Sequence, residues 1–499
     1  MEDNSKDISS HQSILKATGV FGFLQVLKLI ISVITSKFVA VFLGPFGIGL
    51  VALLTNAASL ISSITSFEFL KVGTREIALH SAGEHSYELS KSIKNLQRIA
   101  LFVGVFGAIV SVIFSETLSN FIFGNSSKKQ WFYVLGFYFI MTGFSNARMA
   151  ILQGVNQIKT LAWCNIIIAF FSAIGSILIY YYLKIDGIIW VVLYTSAVTF
   201  LVTIYFTKQY TFQFDFANAN EFIKQSSPMM KLGFVLSVNL ILGQVCFFII
   251  RLFLNEGGST SSVLGFYQVN TIIIVNYLGL IFNAMSYDFY PKLTAINSDT
   301  KKVNELVNSQ IEIAILLVTP AIIFLFIFGP FLIQILFTKE FLAAFSILKL
   351  ALISVVLKSI LMPLAYLILA KGDRWQYFKQ ELLADVLNVT LTLFLYQRLG
   401  LEGIGLAYII NYIIYGIYVY YVVKNKYDFT FYKECKKLIV VSVLLSIFSV
   451  FIVLFTDGVW NYLMLSVLVL LSITFSYTEL NKRVSVSNYI KSKLSRFTK

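Results

Sequence analysis

An all-α integral membrane protein of about fourteen spanning helices is the fold class this 499-residue sequence predicts, and three observations predict it. The chain is 58% hydrophobic and 13% charged, against ~45–50% and ~25% in soluble domains, so lipid is its solvent. Its apolar residues fall into runs of ~20, the length at which a helix crosses a bilayer with its backbone polar groups satisfied internally. Its basic residues lie mainly in the short segments between those runs, so the net charge of +14 reads as topology and not as affinity for nucleic acid.

The elements follow in order. A polar tail, 1–13, precedes the first run, 14–42, which is too long for a cleavable signal core and reads as a retained span. Only Gly44-Pro45 separates it from 46–70, and that pair cannot continue a helix. Segment 71–98, with Arg75, Lys91, Lys94 and Arg98, is either a helix on an anionic leaflet or a solvated connector. Spans at 99–117, 131–152, 161–182 and 187–206 follow, then a polar linker at 207–231. The run 232–251 is polar for a span, and 263–286 carries Asn270, Asn276 and Asn283. Pro320 and Pro363 interrupt 311–330 and 341–369 at tolerated bending points. Spans at 380–397, 403–423, 438–456 and 460–478 lead to a basic tail, 479–499.

With both ends in the cytoplasm, most of the 39 lysines and arginines fall on that side. Lys128, Lys129, Lys184, Arg251, Lys339 and Arg398 remain outside. One missed helix would scramble this bias. An internal repeat at an offset of 216 residues pairs Gly49 with Gly265, Asn156-Gln157 with Gly372-Asp373, and Ile185–Ile188 with Leu401–Ile404. It divides the chain into an N-lobe at 14–206 and a C-lobe at 232–423, with an extra pair at 438–478. Parallel repeats of this kind place a substrate site at their interface in transporters.

Cys164, Cys246 and Cys435 have no disulfide or metal spacing, and His11, His80 and His85 lie in polar segments, so neither metal nor cofactor is expected. No nucleotide-binding, zinc-protease or nucleophile-elbow motif is visible. The residues that carry chemistry are embedded charges. A cation at mid-bilayer costs ~2.5–3.5 kcal/mol and needs a partner or a watery cavity. Lys28 is the clearest case, because Thr18, Gln25, Lys28, Ser32 and Thr35 fall within one sector of the first helix and read as a cavity lining. Lys37 projects to the opposite side near the outer end and reads as snorkelling. On the second helix Thr55, Ser59, Ser62 and Ser66 form a small-residue stripe that serves either helix packing or cavity lining, with Asn56 beside it. Lys358, Arg148 and Arg251 complete a cationic set suited to a phosphate or pyrophosphate headgroup. Glu381, Asp385 and Glu68 are the embedded acids available for proton or ion coupling, or for pairing with the basic residues.

Five stretches then show a resemblance: Leu27–Leu50, with Lys28 and Lys37 ahead of Gly44-Pro45-x-Gly47-x-Gly49; Tyr287–Leu293; Phe337–Phe345; the run around Lys358; and Tyr366–Phe378. The chain resembles the Wzx-type O-antigen and lipid III flippases, in the polysaccharide transport branch of the MOP superfamily, over most of 14–423. The resemblance implies two lobes around a central cavity with alternating access. It implies export of undecaprenyl-pyrophosphate-linked oligosaccharide, for O-antigen, lipopolysaccharide or related surface polysaccharide, across a bacterial inner membrane. Lys28 and Lys358 match lysines of the family pattern by position; a grip on the pyrophosphate is our inference from their charge. The expected partners are that lipid-linked glycan, membrane lipids and the polysaccharide polymerase machinery, with no nucleic acid and a monomeric chain. The pair at 438–478 departs from the family pattern. The competing readings are a MATE-like exporter of small cations, which would favour embedded acids over Lys28, and a membrane polysaccharide polymerase or ligase, which would need larger outer segments than 118–130 and 252–262.

Overall fold

A computed structural model describes residues 2–66, 73–74, 76–77, 86–210, 237–238, 240–255, 262–456 and 458–484, with side chains from residue 27 onward except 29, 86–88, 158, 284, 287, 288 and 291. Among the described residues there is no strand. The helices are α1 (Glu2–Ser66), α2 (Ser86–Ile113), α3 (Ser115–Phe123), α4 (Lys129–Gly154), α5 (Ile158–Leu183), α6 (Gly187–Phe206) and α7 (Leu240–Leu254). After them come α8 (Val263–Thr271), α9 (Gly279–Ala295), α10 (Thr300–Leu336), α11 (Ala344–Ala370), α12 (Arg374–Leu399), α13 (Leu401–Tyr427), α14 (Lys433–Phe455) and α15 (Gly458–Val484).

Among the described residues ten helical stretches are long and apolar enough to cross a membrane, and two of these are interrupted by a break. In α1 the break is Gly44, at φ 63° and ψ −174°, a conformation that costs a side-chain-bearing residue strain. Pro45 follows it and supplies no N–H to the helix. Between α5 and α6 the break is the short 3₁₀ turn Lys184–Asp186. With α4 and the shorter α7, a helix occupies each of the fourteen expected places. Outward faces carry the apolar side chains that lipid requires, such as Val440, Leu444, Phe451 and Phe455 on α14.

Several boundaries differ from expectation. The first helix begins at Glu2 and not near 14. Segment 86–98 is neither a surface helix nor a solvated connector, because α2 runs through it. Ile93 and Leu96 pack there against Ile77, Ala147 and Ile151. The segment 118–130 is not an open loop: the end of α3, a 3₁₀ turn at Ser126–Lys128 and the start of α4 run through it. A π-helical turn, Ile272–Tyr277, divides the eighth span, and α10 extends a span expected at 311–330 to 37 residues.

The chain divides into two compact units, Met1–Gly265 with Leu336–Thr338, and Phe266–Ile335 with Lys339–Lys499. The sequence repeat assigned 232–251 to the second lobe, whereas α7 groups with the first unit. Polar and backbone contacts explain this. The Asn56 amide donates to Gln244 Oε1 at 2.9 Å, and the Asn255 amide donates to the Ile122 carbonyl at 2.7 Å. A Cβ on Gly265 would stand 1.9 Å from the Pro45 carbonyl oxygen, so only glycine admits that approach.

In the second unit a core of Phe289, Leu293, Ile311, Leu364, Leu367 and Val419 joins α9, α10, α11 and α13. In the extra pair α14–α15, α14 packs along α11, and the segment leading into α14 is tied to α10. The Asn308 amide donates to Thr430 O at 2.9 Å while its Oδ1 accepts from Tyr432 N at 3.0 Å, and Asn304 donates to Asp428 O at 3.1 Å. Arg483 closes the same junction with Nε on Glu312 Oε2 at 2.6 Å.

Candidate functional site

The helix α1 has two exposed faces of opposite character. At ~100° per residue, Ile30, Ile34, Phe38 and Val41 form one stripe, all apolar and all exposed, as a lipid-facing surface must be. Lys28 and Ser32 are exposed on the other side of the helix, with Thr35 half-buried beside them. Exposure away from the lipid-facing stripe is what a water-lined surface requires. Among the described residues no carboxylate or other acceptor takes the Lys28 ammonium, so its three donors remain available. Thr35 Oγ1 is turned back to Ile31 O at 2.7 Å. Gln25 lies on the helix with its side chain outside the described residues.

Lys37 does not snorkel. Its ammonium donates to the main-chain carbonyl of Phe337, just past the C-terminal end of α10, where a cation meets the negative end of a helix dipole. On the second arm of α1, Thr55 and Ser59 return their hydroxyls to Val51 O and Thr55 O at 2.7 and 2.8 Å. Asn56 is buried, holding Gln244 with its amide while its Oδ1 has no partner.

The two arginines are both buried. Arg148 is buried and reaches from α4 to Thr207 Oγ1 at 2.5 Å, just after α6. Arg251 is equally buried near the end of α7, its guanidinium 5.8 Å from the Phe247 ring one turn earlier.

In the second unit Lys358 is half-buried on α11, with its ammonium 5.0 Å from the centre of the Phe282 ring. Among the described residues no carboxylate lies within ion-pair distance of it, so an aromatic face is its stabilising contact. Glu381 and Asp385 sit one turn apart on α12, both half-buried. Tyr377, Tyr412, Tyr415, Tyr366 and Tyr290 belong to the core around this part of α12, and Tyr412 and Tyr415 lie within electrostatic reach of Glu381. Gln380 beside them is fully buried with neither amide atom partnered, and Asn411 Oδ1 is likewise unpartnered. Glu68 lies outside the described residues.

The first unit thus holds an available ammonium, and the second holds a ring-stacked ammonium and a carboxylate pair among tyrosines. Sequence reasoning missed Phe282 and the tyrosines. The latter had a signal in Tyr408, Tyr412 and Tyr415, spaced to share one face of α13. Gln244, one of the residues that make the run 232–251 polar, lies 216 residues after Lys28 and so occupies the repeat-equivalent place.

Among solved structures the chain is similar to the lipid II flippase MurJ in its inward closed conformation, with 18% identity and a TM-score of 0.68 over 93% of this chain and 99% of that one. It is similar to an inward-facing multidrug resistance MATE transporter of the MOP superfamily, with 16% identity and a TM-score of 0.63 over 80% of this chain and 96% of that one. A MATE protein in the bent conformation follows at 16% and 0.57, over 85% and 97%. At these identities the likeness is one of fold. No curated protein matches the chain. The family model described as polysaccharide biosynthesis protein matches residues 38–346, a stretch that runs from the first arm of α1 into α11 and takes in the Gly44-Pro45 break and both Gly49 and Gly265. The chain belongs to this polysaccharide biosynthesis family, on the helical fold of the MOP superfamily.

Proposed function

We propose that the protein translocates undecaprenyl-pyrophosphate-linked oligosaccharide repeat units from the inner to the outer leaflet of a bacterial inner membrane. The reading includes O-antigen and related surface polysaccharides. The headgroup is exposed to the two faces of the membrane in turn, and the polysaccharide polymerase machinery receives it. The observation that carries this reading is Lys28, an available ammonium on the polar face of a helix whose other exposed face is wholly apolar. A pyrophosphate offers such a point charge several acceptor oxygens, whereas a cationic drug would be repelled. Lys358 is the second cation, Arg148 ties α4 to the end of α6 through Thr207, and Arg251 is the further buried cation of the set. Glu381 and Asp385 couple transport to a proton or cation gradient, a role their burial among tyrosines supports.

The test is deletion followed by analysis of lipid-linked intermediates. Undecaprenyl-linked repeat units should accumulate while surface polysaccharide disappears, and the intact chain should restore both. Normal surface polysaccharide with no accumulation refutes the proposal. The Glu381–Asp385 pair favours a second reading, export of small cations, which predicts that the deletion strain retains a lipophilic cationic dye and keeps its polysaccharide.

A further inference from the structure

A cleft of about 510 Å³ opens in the second unit where the third and fourth turns of α10 meet the start of α14 and the end of α15. This falls in the ~300–1,000 Å³ range of small-molecule sites. Its wall is held by an ion cluster. Arg483 places Nε on Glu312 and Nη1 on Glu479, both at 2.6 Å, and Lys482 Nζ lies 2.7 Å from the other Glu479 oxygen. These four charges are engaged with one another, and so is the Asn308 amide, which is spent on the backbone of 428–432. Two charged groups lining the cleft are not engaged. Glu434 and Lys437 lie on the first turn and a half of α14, and neither is bonded to another described residue. Leu438 and Phe475 continue the lining with apolar surface.

The unengaged pair defines the ligand. A simple anion would find Lys437 but also the Glu434 carboxylate, and a simple cation would meet the reverse. A group that carries a phosphate and an ammonium a few bonds apart satisfies both, with phosphate oxygens on Lys437 and the remaining protons of Lys482, and the ammonium on Glu434. The place adds the second half of the argument. The cleft lies at the start of α14 and the end of α15, on a helix turn that carries Lys433, Lys436 and Lys437, at the level where lipid headgroups sit. Below it α14 presents Val440, Leu444 and Ile447, all exposed, along which acyl chains would run. We propose that this cleft binds the phosphoethanolamine headgroup of a membrane phospholipid, which would hold the extra helix pair against α10. The site is separate from the transported substrate, and its fate does not depend on the translocation reading.

The test uses the purified full-length chain in detergent, stripped of lipid, with bound lipid read by native mass spectrometry. Dioleoylphosphatidylethanolamine should be retained in preference to dioleoylphosphatidylglycerol and dioleoylphosphatidylcholine, and an excess of free phosphoethanolamine should displace it. Lys437→Gln and Glu434→Gln should each weaken retention by about tenfold, the loss of one charge-assisted hydrogen bond. Lys436→Gln, next in sequence but outside the cleft lining, should leave it unchanged. All three residues are exposed, so the variants should elute as the parent does. Phosphatidylglycerol bound as tightly as phosphatidylethanolamine, or retention unaffected by Lys437→Gln, would overturn the proposal.

Discussion

The first repeat, 14–206, and the second, 232–423, share a backbone plan and place different chemistry inside it. The helix α5 runs Ile158–Leu183 and α12 runs Arg374–Leu399, so both ends are displaced by the same 216 residues. The strained positions repeat at the same offset: Asn156 at φ 58° with Gly372 at 76°, and Lys184 at 46° with Gly400 at 59°. The turn after each of these two helices carries an acid, Asp186 or Glu402, paired at 2.6 Å with a lysine near the start of the preceding helix pair, Lys128 or Lys349. The interiors diverge. Where the second repeat has Glu381, Asp385, Tyr412 and Tyr415, the first has Asn165, Ala169, Ser196 and Thr199. Where the first has Lys28, the second has Gln244. Backbone geometry tolerates little change because a left-handed residue or a tight turn is strained by most substitutions, while a helix face accepts any side chain its surroundings can solvate. One scaffold therefore carries a lysine at position 28 in its first repeat and a carboxylate pair at 381 and 385 in its second.

Lys28 tests that division most severely. Lys28→Ala should lower surface polysaccharide by at least about tenfold, the worth of one charge-assisted contact to phosphate, with the protein still inserted. Lys37→Ala should do less, because the Lys37 ammonium is already engaged by the main-chain carbonyl of Phe337. Polysaccharide yield from cells with matched protein levels decides the order. Equal losses in the two variants would show that the two faces of α1 are not functionally distinct.

The repeat-equivalent glycines are the next test, since Gly49 and Gly265 pack on each other. A Cβ at Gly265 would meet the Pro45 carbonyl at 1.9 Å, whereas one at Gly49 would meet Gly265 N and Leu264 Cβ at 3.0 Å. Gly265→Ala should therefore destabilise by ~1–3 kcal/mol, as overpacking does, and Gly49→Ala by the lower end of that range or less. Thermal melting in detergent measures both. A milder effect at Gly265 than at Gly49 would mean that the backbone approach at Pro45 yields easily.

The fourteen helices, the Gly44-Pro45 break and the repeat turns were legible in the sequence, because hydrophobic runs and glycine or proline at turns are local signals. The exposed polar face of Lys28 was legible for the same reason, since helical periodicity alone orders a stripe. What stayed hidden are partners that leave no local mark. Lys37 finds a carbonyl 300 residues away, and any residue type at 337 would supply it. Arg148 finds Thr207, and Arg483 finds Glu312 from 171 positions away. The tyrosines around Glu381 left only the helical spacing of Tyr408, Tyr412 and Tyr415, which was passed over because an aromatic residue in a span reads first as bulk apolar. The grouping of α7 with the first unit turns on Asn56–Gln244, a single amide pair between distant segments.

Capping separates the repeats more gently. Asp373 caps α12 by accepting from Gln376 N at 3.1 Å, and its repeat partner Gln157 caps nothing at the start of α5. Asp373→Ala should cost ~0.5–2 kcal/mol, and Gln157→Asp should recover part of that difference in the first repeat. The hydrogen bond from Lys426, joined by that from Gln376 N, holds the Asp373 carboxyl below its usual range. A carboxyl depressed in the folded state contributes stability above its unfolded pKa and loses it as pH falls through the folded value. The gap between the parent and Asp373→Asn should accordingly be present at neutral pH and close only below the ordinary carboxylate range. A gap that closes on the alkaline side would remove the ion pair as its cause.

The smallest effect belongs to the two outer ion pairs, and it bears on whether the repeat is kept for stability or for geometry. Lys128–Asp186 and Lys349–Glu402 have the same length, but the Lys349 side chain is 14% exposed and the Lys128 side chain 34%. Exposed pairs contribute ~0.2–1 kcal/mol, because solvent screens the attraction and two side chains lose freedom. A double-mutant cycle through Lys349→Met and Glu402→Gln should give a coupling near the top of that range, and one through Lys128→Met and Asp186→Asn a value near the bottom. Raising the salt concentration should shrink the second coupling more than the first, since the more exposed charge is the better screened. If both couplings are indistinguishable from zero, the acids at 186 and 402 persist for where they sit in the turn, ahead of Gly187 and Gly403, and the lysines opposite them add nothing to the fold.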